Sequence, residues 1–250
     1  MHDEIVSLTK EIETTPKQAA LFLRRGQLHR AHRDWTAAAA DFDKARELDP
    51  TLHATDLARG EMLVEAGRAN EAIEAFDRFL SRRPEHSAGY AGRARAHSAA
   101  KMWERAAEDF ARAIACEKQP EPELFVAQSQ ALRAAGKIEM AIRVLDDGIM
   151  RLGALITFTQ PAIDLEVEAG RLDAALARLA KVIQSAPRKE RWLLRRGELL
   201  EKAGRLDAAR DAFAAADSAL AAVPSDRRAT AAMQDLAKTI EAARARVAPR

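Results

Sequence analysis

One cysteine, Cys116, in 250 residues leaves no internal disulfide and no cysteine metal cluster to consider. Aromatic side chains make up only 5% of the chain, and β-branched residues are thin, so extended strands have little support. No apolar run approaches the roughly 18 residues a membrane-spanning helix needs. The opening stretch "MHDEIVSLTKEIETTP" has acids where a secretory leader carries its basic and apolar regions. Charge of one sign is also missing. Forty basic and 38 acidic side chains leave a formal charge of +2, with no long block of either, which favours neither nucleic acid nor membrane as the ligand. Glycine-rich phosphate loops, nucleophile elbows and zinc-binding helix signatures are absent. No catalytic residue, metal or cofactor is therefore expected.

What remains is plentiful alanine, leucine, arginine and glutamate, 48% hydrophobic and 31% charged overall. Such a chain folds in water, and its local propensities favour helix nearly everywhere. An all-α, soluble protein is expected, cytoplasmic in preference to periplasmic. A periplasmic location stays open if a leader was removed and Met1 added afterwards.

The heptapeptide "AGRLDAA" occurs at Ala169 and again at Ala203, 34 residues later. Extending that register gives units starting at Ala19, His53, Ser87, Pro122, Ile156 and Glu190. A period of this size means a solenoid, whose units bury their apolar faces against one another. Each unit reads as two helices around a tight turn. Gly67, Gly136, Gly170 and Gly204 fall where a left-handed residue ends the first helix. Asn70, Asp173 and Asp207 fall where an oxygen could cap the second. Arg33 and Lys101 replace the glycine in the first and third units, so an altered turn is expected there. Pro161 interrupts the fifth unit, and its first helix is expected to start late, near Gln160, with Thr159 as cap.

The anchors Phe22, Gly26, His29, Ala38, Phe42, Ala45 and Pro50 recur as Gly60, Ala72, Phe76 and Pro84. They return as Tyr90, Ala94, His97, Ala106, Phe110 and Ala113, and as Leu193, Gly197, Leu200, Ala209, Phe213 and Ala216. In this the sequence resembles the tetratricopeptide repeat family. Phe79 and Val182 in place of the second alanine, and Ile163 in place of the first-helix glycine, predict wider packing in the second and fifth units. The resemblance implies an α-solenoid of about six helix-turn-helix repeats over residues 19–223, wound as a right-handed superhelix. Residues 1–18 are expected to cap one end. A C-terminal capping helix is expected within 224–250, where Met233, Leu236, Ile240 and Val247 recur at helical spacing.

The resemblance also implies work without catalysis, as a protein-protein interaction scaffold that holds a peptide or helix of a partner in a concave groove lined by the first helices. The register places Leu23, Gln27, Arg30, Glu61, Glu65, Arg95, Gln130 and Arg133 along that groove. Gln160, Asp164, Glu168, Arg191, Leu194, Glu198 and Glu201 follow, and around the fifth unit they tilt acidic, which suggests a partner segment with basic residues. The clamp with which some family members grip acidic chaperone tails is not recognisable, since Leu23 and Gln27 stand where its lysine and asparagine would be. His29 and His32, with Asp34 beyond, imitate a metal pair, but His29 and His97 share a packing position. Trp35 and Trp103 occupy a packing register, Trp192 is freer, and Cys116 reads as a small apolar residue. The chain alone is expected to be a monomer. The rival reading is an accessory subunit of an enzyme complex, joined through an apolar contact such as the C-terminal helix.

Overall fold

The computed structural model describes residues 2–248, and all regular structure among them is helical. Met1, Pro249 and Arg250, which belong to the expected terminal segments, lie outside the described residues. The chain divides into two compact units, one ending at Gly153 and one beginning at Ala154.

The first unit contains α1 (His2–Thr14) and then four helical hairpins. These are α2 (Ala19–Ala31) with α3 (Trp35–Leu48), α4 (Ala54–Glu65) with α5 (Ala69–Arg82), α6 (Ser87–Ala99) with α7 (Trp103–Ala115), and α8 (Pro122–Ala134) with α9 (Ile138–Leu152). The second unit contains the hairpins α10 (Ile156–Glu168) with α11 (Leu172–Ser185) and α12 (Glu190–Lys202) with α13 (Leu206–Ala221). A single turn, α14 (Ser225–Arg228), and a long helix, α15 (Ala231–Arg246), follow. At the boundary, Gly153 ends α9 with φ 92° and ψ 170°, a conformation that essentially only glycine adopts.

In the first, second and sixth hairpins the helices approach closely because the first helix offers a glycine to a phenylalanine of the second. Phe42, Phe76 and Phe213 are completely buried. A Cβ added to Gly26 would lie 2.7 Å from Phe42, one on Gly60 2.8 Å from Phe76, and one on Gly197 2.3 Å from Phe213. The bulk of Phe79 is met differently from its alanine counterparts. Gly89 of α6 faces it, and a Cβ there would stand 2.8 Å from the ring. The room for Phe79 thus comes from a neighbouring helix.

The inter-helix turns differ from expectation. Arg33 and Lys101 adopt φ 60°, beside 72° to 75° for the four turn glycines. All six turns close with the same long bond, from Asp34 N to His29 O (2.9 Å) through Lys137 N to Leu132 O (2.8 Å) and Arg205 N to Leu200 O (2.9 Å). The motif is therefore preserved, and the two non-glycine residues carry its conformational cost. Asn70, Asp173 and Asp207 are not caps: the residues preceding the helices are Arg68, Arg171 and Arg205. The three sit inside the first turn, where the acids favour the helix dipole. A true side-chain cap occurs at Asp34, whose carboxylate accepts from Ala37 N at 3.0 Å.

Helix α10 corrects a second expectation. It starts at Ile156, and Pro161 lies inside it. The donor that proline lacks is the one that would reach the carbonyl of Thr157, a residue exposed to water. Thr159 is buried and donates its hydroxyl to Leu155 O at 2.6 Å, so it does not cap.

Both ends are closed by amphipathic helices. Leu8 and Ile12 of α1 cover Leu21, Phe22 and Ala45. Met233, Leu236, Ile240 and Ala243 of α15, with Val247 beyond its end, join Phe213, Ala216 and Leu220 in one core. No helix among the described residues is long and apolar enough to cross a membrane.

Buried ion pairs repeat alongside the apolar anchors. Arg25 donates to both oxygens of Asp41 at 2.8 and 2.7 Å, and Arg93 does the same to Asp109 at the same distances. His29 and His97 stand beside these carboxylates, with Nε2 at 3.9 and 3.5 Å.

Candidate functional site

Residues three or four apart on a helix share a face, and the residues read as groove-lining occupy such stripes on the first helices of the hairpins. In the first unit Leu23, Gln27 and Arg30 lie on α2, Glu61 and Glu65 on α4, Arg95 on α6, and Gln130 and Arg133 on α8. The structure brings three of these together. Arg30 donates to Glu65 at 2.7 and 3.1 Å and also pairs with Glu61. The bonds to Glu65 are the main cause that raises the pKa of the guanidinium above its ordinary value. Leu23 is half-buried between two apolar clusters, while Gln27, Arg95, Gln130 and Arg133 are exposed.

In the second unit Gln160, Asp164 and Glu168 run along α10, and Arg191, Leu194, Glu198 and Glu201 along α12. The acidic tilt expected here is largely neutralised. Gln160 Nε2 donates to Asp164 at 3.0 Å, and Arg195 Nη2 reaches the other oxygen of Asp164 at 3.0 Å. Arg195 also faces Glu198 at 3.6 Å. Arg246 of α15 grips both oxygens of Glu201 at 2.9 and 2.8 Å, which holds that carboxyl below the usual range. Leu194 is mostly core, at 7% exposure.

The second unit holds an open cleft of about 620 Å³ between α10, α12 and α15. Gln160, Arg191, Leu194 and Glu198 line it, together with residues that the register did not single out: Ile156, Arg188, Glu190, Arg195, Met233 and Leu236. Trp192, half-buried, forms part of its wall. Glu190 is buried and accepts from Arg188 Nε at 2.6 Å, and Arg188 also reaches Met233 Sδ at 2.8 Å. One sequence signal could have found Arg195. It lies 31 residues after Asp164, the same separation as Glu61 from Arg30, so both pairs join neighbouring first helices.

The remaining candidates are placed as follows. Trp35 packs half-buried against the cluster around Met62 and Phe76. Trp103 is half-buried beside Lys101 and Met102. His32 is exposed, and no group of three or more acidic, histidine or cysteine side chains among the described residues is arranged to hold a metal. Cys116 corrects an expectation: it is exposed at the end of α7, its thiol raised by partial burial and by Glu85 and Glu117.

A sequence profile of the tetratricopeptide repeat matches residues 8–53, 57–121 and 162–227. A curated relative, the protein SGT1 homolog of Oryza sativa subsp. japonica, is 37% identical over 76 residues, 29% of this chain. That match spans only about a fifth of the relative, 21% of its length. A solved tetratricopeptide repeat protein of Parabacteroides merdae superposes with a TM-score of 0.57, covering 95% of this chain and 91% of its own at 16% identity. MamA superposes with a TM-score of 0.60 over 68% of this chain and 92% of its own, at 20% identity. YrrB, described as having an unusual peptide-binding site, gives 0.54 over 73% and 93% at 16% identity. At these identities the structural matches speak to the fold alone.

Proposed function

Because the chain belongs to the tetratricopeptide repeat family, we propose that it is a non-catalytic scaffold that holds a peptide or helix of a partner protein on the faces of its first helices. The observation that carries this reading is the open cleft on α10, α12 and α15, where polar and apolar side chains of three helices converge. Recognition on such surfaces uses spaced anchors rather than one deep enclosed pocket. The description of YrrB as a peptide binder agrees with that mode. The proposed partner-facing residues are those of the first-helix stripes, from Leu23, Gln27 and Arg30 to Leu194, Glu198 and Glu201.

The test is affinity capture of partners from native extract, followed by hydrogen-exchange mass spectrometry of the purified complex. Protection concentrated on α2, α4, α6, α8, α10 and α12 supports the proposal. Protection confined to the second helices overturns it.

One observation favours a second reading, that of an accessory subunit in an enzyme complex. Met140 and Met150 of α9 are 47% and 78% exposed, and adaptable methionine surfaces suit broad apolar contacts. The C-terminal helix does not serve that purpose, since its apolar stripe is spent on α12 and α13. In that case protection falls on α9.

A further inference from the structure

We propose that the cleft between α10, α12 and α15 takes an acidic, apolar segment of a partner protein, with a carboxylate on Arg191 and a neighbouring apolar side chain against Trp192 and Ile156. The inference rests on the scaffold reading above and gives its partner a chemistry opposite to the basic segment that the sequence suggested.

The charges of the cleft decide the sign. Its carboxylates already have arginine partners: Glu190 is held by Arg188, and Glu198 and the adjoining Asp164 by Arg195. Arg191 is exposed and makes no ion pair or hydrogen bond among the described residues. The charge left without a partner is therefore a cation, although the three arginines and three carboxylates balance in number. A basic segment would have to pull Arg195 away from Asp164, leaving a guanidinium without its partner. An acidic segment displaces nothing and gains a charge-assisted, bidentate contact.

The walls supply the apolar half. Ile156 is 64% exposed, a large aliphatic side chain left in water at the first turn of α10. Half-buried Trp192 lines the same cleft, as do Met233 and Leu236. An aromatic wall beside an arginine is the usual composition of an interface anchor point. One unpaired cation beside apolar walls fits a single carboxylate next to a hydrophobe. A nucleic-acid backbone asks for a row of cations.

The test uses the full chain and a set of fluorescein-labelled dodecapeptides with Leu or Phe beside Asp or Glu at the centre. Each is matched by a counterpart with Asn or Gln and one with Lys. Fluorescence anisotropy is read with wild type, Arg191→Gln and Arg191→Glu, and with Arg196→Glu as an exposed control on the same helix. The expected result is binding by acidic members, roughly tenfold weaker binding by their amide counterparts, and a comparable loss in Arg191→Gln. Arg191→Glu, still folded by circular dichroism, loses binding, and Arg196→Glu keeps it. Equal binding of amide or lysine counterparts, binding indifferent to Arg191→Glu, or failure of the whole acidic set overturns the inference. Failure of the acidic set while a captured partner still protects the first helices removes this inference alone. Protection confined to the second helices removes the scaffold reading itself.

Discussion

Replacing Gly197 by alanine sets two effects of opposite sign against each other. Alanine in a helix interior is favoured over glycine by about 1 kcal/mol. The added Cβ would lie 2.3 Å from Phe213 Cε1 and 2.4 Å from Cδ1, so the ring must move by about 1 Å to reach ordinary contact. It has nowhere to go, being completely buried in the core shared with Leu200, Ala216, Met233 and Leu236. Overpacking of this kind costs about 1–3 kcal/mol, and an overlap with a confined ring belongs at the upper end. The expected net loss is about 2 kcal/mol. Gly204, in the turn of the same hairpin, gives the contrast: a Cβ there meets nothing within 4 Å, but its φ is +72°. Gly204→Ala therefore loses about 1 kcal/mol through backbone conformation alone. Urea denaturation, with hydrogen exchange on peptides from α12 and α13, measures both. The decisive arm is Phe213→Leu, which should absorb most of the cost of Gly197→Ala and none of that of Gly204→Ala. Unchanged stability in Gly197→Ala, or equal rescue of both variants, would refute the steric account.

Three further outcomes follow from the same structure. Arg33→Gly and Lys101→Gly relieve left-handed strain at exposed turn positions and should each raise stability by about 0.5 kcal/mol, the strain relieved less glycine's larger unfolded-state entropy, read as a higher urea midpoint with unchanged slope. Burial holds His97 below its ordinary value of 6.5, partly opposed by Asp109 and reinforced by Arg93 and Arg105. The unfolded chain then binds more protons than the native one just below that value, so stability should fall as pH drops through 6.5. His97→Leu, which copies Leu63 one hairpin earlier, should flatten that part of a pH series of denaturation midpoints, and an unaltered slope would exclude His97 as its source. Cys116 should react with a disulfide reagent in the native protein, at one thiol per chain, but more slowly than free cysteine because its thiolate is disfavoured.

The helical hairpins were legible because their determinants are local and periodic. Turn glycines, small residues facing aromatics, and amphipathic ends recur at a spacing the chain itself reveals. The helix starts were less so. Asp173 and Asp207 read as caps because acids suit both a cap and a first turn, and only backbone geometry separates the two. The late start expected for α10 failed because a proline beyond the first turn is tolerable where the residue that loses its backbone partner, here Thr157, is exposed to water. At the site, the positions of Asp164, Arg191 and Glu198 on their helices could be read from spacing. The pairing of Asp164 with Arg195, or of Glu201 with Arg246 some 45 residues on, depends on which helices are neighbours. That pairing is what the acidic segment proposed above rests on.

The buried arginine-aspartate clasps also show how the first unit is assembled from parts. Arg25 and Asp41 join α2 to α3, and Arg93 and Asp109 join α6 to α7, with a histidine beside each pair. The hairpin between them lacks a clasp at that register; Leu63 and Ala75 stand where its histidine and aspartate would be. Its own pair lies elsewhere, from Arg78 Nε of α5 to the buried Asp56 of α4 at 3.2 Å, and further charges reach its neighbours. Arg59 of α4 reaches back to Asp43 of α3 at 2.5 Å, and Asp77 of α5 receives Arg93 of α6 at 2.5 Å. The middle hairpin thus ties to each neighbour through Arg59 and Asp77. Transplanting it into an outer position would put Ala75 where Asp41 or Asp109 stands and leave the arginine at that register without its buried carboxylate, so grafts and insertions in this chain must respect which hairpins carry the clasp.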